Sequence, residues 1–204
     1  FTSVTSKEGS NTWTLYCNDT AGNVNSTNVT FYKDTIGPVV YLKSPSNNSY
    51  VTSATQNFAA NFTDNLALNN ATLYIWNSTG SVVNNTENRT ITGTANTTNI
   101  SIILPSNGNF KWNYYVCDNN NNCGWNNSNF TFTLDTIYPT FSSYWDNNAT
   151  LVGSGTAIFN VTVLNSNGTV FLEINNTNIT ATNLSANVYN ASYNFTNNGT
   201  YSYK

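Results

Sequence analysis

Asp34-Thr35-Ile36-Gly37-Pro38 returns further along the chain as Asp135-Thr136-Ile137-Tyr138-Pro139. The interval is about one hundred residues, the size of a small β-sandwich domain. Proline has no N–H to give to a ladder and drives the residue before it into an extended conformation. A strand that runs into Asp-Thr and then meets such a proline marks a hand-over between domains. The expected divisions are residues 1–35, the C-terminal half of one domain, residues 36–135, a complete domain, and residues 136–204, the N-terminal part of a third. Phe1 reads as mid-domain sequence and Lys204 as mid-strand sequence, so the chain is expected to be a slice of a tandem array.

Outward from these markers the side chains alternate. Trp13, Leu15 and Cys17 share one parity before the turn Asp19-Thr20-Ala21-Gly22-Asn23, and Val29 and Phe31 follow it. Such alternation is the mark of half-buried strands. In the middle segment Phe58, Ala60 and Phe62 face one way, and Leu73 and Ile75 form the next inward pair. The polar residues 77–99 are expected to hold a hairpin or an edge strand. Ile100, Ile102 and Leu104 resume the alternation, and Phe130, Phe132 and Leu134 close the unit. Gly108 to Trp112 repeats the spacing of Gly9 to Trp13, and Asp118 falls where Asp19 does. After the second marker come Phe159, Val161 and Val163, then Val170, Leu172 and Ile174, and Gly199 to Tyr203 repeats the glycine-to-aromatic spacing. No segment has a helical period, so the predicted fold is all-β.

Composition narrows the functions. The 204 residues include six Lys or Arg, nine Asp or Glu and no His, for a formal net charge of −3. No basic footprint for nucleic acid exists, and no apolar run approaches the roughly 20 residues of a membrane span. Nucleophile–base chemistry and paired-carboxylate chemistry both lack their residues, so no enzyme is expected. Roughly twenty-two Asn-x-Ser/Thr triplets stand where chance pairing would give roughly eleven, which points to N-linked glycans as covalent partners. The candidate acceptors are Asn18, Asn25, Asn28, Asn61, Asn70, Asn77, Asn88, Asn99, Asn129, Asn148, Asn160, Asn167, Asn178 and Asn194. An acceptor must face solvent. Asn61, between Ala60 and Phe62, and Asn160, between Phe159 and Val161, lie on the outward parity, as do Asn28, Asn99, Asn129 and Asn194.

The run Trp13…Asp19-Thr20-Ala21-Gly22-Asn23…Val29-Thr30-Phe31…Asp34-Thr35…Pro38 resembles the end of a prokaryotic immunoglobulin-like domain, and Leu42-Lys43-Ser44-Pro45-Ser46-Asn47 resembles the opening of one. The middle copy departs from the pattern, with Asp118-Asn119-Asn120-Asn121-Asn122 at the turn. The resemblance implies tandem immunoglobulin-like sandwiches, one complete and two partial, in a bacterial or archaeal surface protein. It implies stalk, adhesin or envelope roles without choosing among them.

Three sets of residues are candidates for more specific chemistry. Cys117 and Cys123 bracket a turn and can bridge it; Cys17 shares the parity of Trp13 and should point into a core. In a sandwich of this topology the linker before a domain lies beside the loops after its second and sixth strands. That gathers Asp34, Asp64 and Asp118 as a candidate calcium site, with Asn65 and Asn119 as further oxygen donors; Asx-turn use of each Asp is the alternative. In the third copy Asn165 replaces Asp64. Trp76, Trp125, Tyr144 and Trp145 are candidate platforms for carbohydrate, whereas Trp13, Trp112 and Tyr203 recur at one repeat position and read as core.

The expected function is structural: a glycosylated extracellular stalk or filament segment of a prokaryotic cell surface, with an archaeal surface favoured. The expected partners are neighbouring repeats or further copies of the same protein. A carbohydrate-binding or adhesin module using exposed aromatics is the alternative.

Overall fold

The computed structural model describes residues 4–85, 88–147, 154–197 and 199–204. Among them there are strands and turns and no helix. The chain divides into two compact units, Phe1–Thr136 and Ile137–Lys204.

The first unit opens with a hairpin of β1 (Gly9–Asn18) and β2 (Val24–Lys33), paired without slip from Gly9↔Lys33 to Asn18↔Val24. A sandwich follows, built from β3 (Val39–Ser44), β4 (Ser49–Val51), β5 (Thr55–Thr63), β6 (Leu68–Asn77), β7 (Val82–Asn84), β8 (Asn88–Thr90), β9 (Ala95–Ile103), β10 (Gly108–Asp118), β11 (Cys123–Trp125) and β12 (Phe130–Leu134). One sheet has the order β3-β5-β9 and the other β4-β12-β10-β6-β7, with β8 also on β6 and β11 on β10. The opening strand is shared between sheets: β3 runs antiparallel to β5, whereas β4 runs parallel to β12. This is an immunoglobulin-like arrangement. The polar residues 77–99 supply the edge strands β7 and β8 and the start of β9, as their composition predicts.

The core lies where the period of two puts it. Phe58, Ala60, Phe62, Leu73, Ile75, Ile100, Trp112, Tyr114, Phe132 and Leu134 are buried, and Ile102 and Phe130 pack against them partly covered. Each such aliphatic or aromatic side chain contributes about 1.5–3 kcal/mol on leaving water. Rings meet edge-on between the two sheets, Phe58 with Trp112 at 5.3 Å and Phe62 with Tyr114 at 5.3 Å. The Tyr114 hydroxyl donates to the Phe58 carbonyl oxygen at 2.8 Å and ties β10 to β5 through the core.

The second unit contains β13 (Thr140–Asp146), β14 (Gly155–Leu164), β15 (Phe171–Ile174), β16 (Thr177–Thr180), β17 (Thr182–Ser185) and β18 (Val188–Phe195). Its sheet has the order β13-β14-β18-β17, and β15-β16 form a separate ladder. Val163, Val170, Leu172, Ile174 and Ala191 are buried. Tyr203 forms an antiparallel bridge with Ile174, the counterpart of Trp112 opposite Ile75 in the first unit. Its ring lies 4.7 Å from that of Phe159, as Trp112 lies against Phe58. The two units are thus built on one plan. Among the described residues the second unit has no equivalent of the β10–β12 hairpin, and a groove of about 540 Å³ lined by Phe159, Val161, Leu172, Ala191 and Tyr203 stays open.

Three expectations are corrected. Trp13, at the repeat position of the fully buried Trp112, is 40% exposed, and Leu15 is 54% exposed. Cys17 is a free and exposed thiol rather than a core residue. Parity correctly assigns these side chains to one face of the hairpin, but burial needs an opposing sheet, and that face is open; Tyr203, at the same repeat position of the second unit, is likewise 53% exposed rather than core.

Turns use asparagine heavily. Positive φ outside glycine occurs, among the described residues, at Asn48, Asn121, Asn165, Asn175, Asn176 and Asn187, and once at Ser143.

Candidate metal centre and aromatic face

Asp118 ends β10 and shapes the turn that follows. Its Oδ1 accepts from the backbone N–H groups of Asn120 and Asn122, both at 2.8 Å, and its Oδ2 accepts from Asn122 Nδ2 at 2.7 Å. Asp19 holds its turn identically: Oδ1 accepts from the Ala21 and Asn23 N–H groups, and Oδ2 from Asn23 Nδ2. Asn121 at φ 64° stands where Gly22 has φ 88°. Asparagine tolerates the left-handed region better than other side chains, so the run of asparagines preserves the geometry of the Asp-x-Ala-Gly-Asn turn it replaces. At Asp19 these bonds, the Asn23 side chain first, hold the carboxyl below its ordinary pKa.

Asp64 caps the loop after β5. Its Oδ1 accepts from the Leu66 and Ala67 N–H groups, both at 2.8 Å. The Asn119 N–H donates to the Ala67 carbonyl at 3.0 Å and joins this loop to the Asp118 turn. Asp34 comes from the linker after β2. Its Oδ1 accepts from Asn65 Nδ2 at 3.1 Å, its Oδ2 from Asn120 Nδ2 at 3.0 Å, and its backbone oxygen from Asn122 Nδ2 at 3.2 Å. The linker lies close to β11, where a Cβ on Gly124 would sit 3.1 Å from the Pro38 carbonyl oxygen.

The three carboxylates expected from sequence are therefore together: Asp34, Asp64 and Asp118 each offer an oxygen within 4.8 Å of the other two. Asp118 is fully buried, and Asp64 Oδ2 is buried with no hydrogen-bond partner. A buried carboxylate oxygen without a donor carries a desolvation cost that a cation would remove. The donor set is all oxygen, the chemistry of a hard divalent ion. Asn65 is in place beside it, as expected. The Asn119 N–H is bonded to the Ala67 carbonyl, and the side chains of Asn120 and Asn122 also reach Asp34.

Next to this turn Cys117 and Cys123 form a disulfide, with Cα atoms 4.1 Å apart. The candidate acceptor asparagines within the described residues are all exposed or half-exposed, including Asn61 and Asn160 on their outward parities; Asn148 lies outside the described residues.

Two of the four candidate aromatics converge with two others. On the outer face of the β10–β6 sheet, Trp76 stacks on Tyr74 at 5.7 Å, and Trp125 approaches Tyr74 at 4.9 Å, Trp76 at 6.1 Å and Tyr115 at 4.8 Å. Lys111 Nζ lies 5.7 Å from the Trp76 ring centre. Trp76 is half-buried by this stacking, whereas Trp125 is 41% exposed. Tyr144 and Trp145 are both exposed on β13 of the second unit. Tyr74 and Tyr115 were missed because their role depends on strand pairing, Tyr115 opposite both Thr72 and Trp125.

No family model matches the chain, and no curated protein matches it in sequence. Among solved structures it is similar to dimeric latent PorU from Porphyromonas gingivalis, at 16% identity and a TM-score of 0.39, over 99% of this chain and 22% of that one. It is also similar to a tetra-tandem repeat in the extending region of a large adhesion protein, at 22% identity and a TM-score of 0.40, over 93% of this chain and 48% of that one.

Proposed function

We propose that the chain is a length of extracellular spacer: tandem, glycan-bearing immunoglobulin-like sandwiches that set distance at a prokaryotic cell surface, with calcium fixing the junction ahead of the middle sandwich. The observation that carries this reading is the repetition of one plan, Trp112 opposite Ile75 in one unit and Tyr203 opposite Ile174 in the next. Repeats of this kind fold largely locally, and short linkers turn their number into reach. The disulfide supports an oxidising compartment.

At the junction Asp34, Asp64 and Asp118 would hold the ion, and Asn65 and Asn120 carry amide oxygens that can turn toward it. The ion would supply the positive charge that this cluster of carboxylates lacks, joining linker and loops into one body.

Electron microscopy of the native protein tests the reading. Thin rods or filaments with a regular repeat are expected, longer and straighter with calcium than with chelator. Isolated globular particles, unchanged by calcium, would overturn it.

A further inference from the structure

We infer that the aromatic face formed by Tyr74, Trp76, Tyr115 and Trp125 is the resting surface of a glycan carried by Asn129 of the same chain. The inference rests on the reading of the Asn-x-Ser/Thr triplets as glycan acceptors, and it assigns one of those glycans a place on the fold.

The first support is position. Asn129-Phe130-Thr131 is an acceptor triplet at the start of β12. Asn129 is exposed, and its Oδ1 accepts from Asn113 Nδ2 at 2.8 Å. The atom that would carry sugar is Nδ2, which this bond leaves unused. Linkage forms an Nδ2–C1 bond, removes one amide proton and releases the phosphate carrier of an activated sugar donor. Asn113 lies directly opposite Tyr74 in the β10–β6 register. Neighbouring strands are about 4.8 Å apart, so a glycan starting beside Asn113 reaches the rings within its first few sugars.

The second support is chemistry. A pyranose has a face of C–H groups and a rim of hydroxyls, and an aromatic ring presents a flat, electron-rich surface to the C–H face. Trp125 is the most open of the four rings. Lys111 borders the patch next to Trp76, and Thr72, opposite Tyr115, borders it on the other side. These supply donors and acceptors for the hydroxyl rim.

The third support is rigidity. Asn113 is 2% exposed and pins the segment between β11 and β12: its Nδ2 donates to the Asn126 carbonyl at 3.0 Å, and its Oδ1 accepts from the Asn126 N–H at 3.2 Å. Two residues before Trp125, Cys123 is bonded to Cys117. The ring is thus held from both sides, and a sugar settling on it orders little that is not already ordered.

The test uses residues 1–204 secreted from a eukaryotic host that attaches N-acetylglucosamine-initiated glycans, with site occupancy read by mass spectrometry. The Asn129 glycan is expected to be cut by endoglycosidase about threefold to tenfold more slowly than the glycan on Asn99 of the opposite sheet. Trp125→Ala should bring the two rates together while Asn129 stays occupied. Asn129→Asp keeps an oxygen for Asn113 but removes the acceptor nitrogen, and should shift the Trp125 indole N–H resonance. An occupied Asn129 cut as fast as Asn99, with no response to Trp125→Ala, overturns the inference and leaves the glycosylation reading intact. A bare Asn129 beside other occupied triplets overturns it too, and bare triplets throughout overturn both. A Trp125 shift caused only by added free oligosaccharide overturns it in favour of an adhesin-type site.

Discussion

Replacing Asp64 by asparagine should stabilise the protein in chelator and destabilise it, relative to wild type, in calcium. Asp64 has two carboxylate neighbours with oxygens within 4.8 Å. At that separation like charges repel by about 1 kcal/mol in bulk water and about 3–4 kcal/mol at an effective dielectric constant of 20. The substitution removes both repulsions and keeps an oxygen for the Leu66 and Ala67 N–H groups, though as a neutral and weaker acceptor. A net gain of about 1–2 kcal/mol follows for the metal-free protein. If the cluster binds calcium, the ion at one hundred times its dissociation constant would stabilise the wild type by about 2.7 kcal/mol. For a unit of this size that is a rise in melting temperature of about 10 °C. The variant should lose most of that rise. Calorimetric melts of both proteins in chelator and in millimolar calcium give the four values needed. Identical wild-type melts in the two buffers, with Asp64→Asn less stable in chelator, would refute the reasoning and leave Asp64 as a turn cap alone.

Trp112 is fully buried against Phe58, Tyr114 and Phe130. Trp112→Ala should cost about 3–5 kcal/mol in denaturant unfolding, and a loss below about 1 kcal/mol would mean that the core is elsewhere. Replacing Cys117 and Cys123 together by serine should cost about 2 kcal/mol, the value for so short a loop, read by the same method under non-reducing conditions. The Asp19 carboxyl titrates low chiefly because Asn23 donates to it, so Asn23→Ala should raise its NMR titration midpoint. A folded-state pKa below the unfolded one contributes stability above the unfolded value, and that contribution disappears as pH falls through the folded value. The variant should therefore show a weaker acid-side loss of hairpin stability, and an unmoved midpoint would contradict the assignment.

The strands were legible because their signal is local. Phe58, Ala60 and Phe62 alternate within five residues, and alternation survives whatever packs above it. The carboxylate cluster was also legible, since the topology alone brings the linker to the loops after β5 and β10. Which asparagines reach Asp34 was not. In the Asp118 turn one residue of rotation separates Asn119, which points its backbone at Ala67, from Asn120, whose side chain reaches Asp34. Burial was the least legible quantity. Trp13 and Trp112 share a repeat position and a strand parity, yet one lies on an open face and the other between two sheets. The aromatic cluster went unseen for a related reason: Trp125 reaches Tyr74 across β10, a neighbour relation set by pairing rather than by spacing.

Asparagine in the left-handed turns has a consequence for how such a chain can change. At Asn121 it stands in for a glycine without moving the Asp118 hydrogen bonds, and among the described residues five further asparagines also take positive φ. Exchange between the two residues is therefore close to neutral for the architecture, whereas each exchange alters the amides displayed at the surface. The outward chemistry of successive repeats is free to diversify while their length and strand register stay constant.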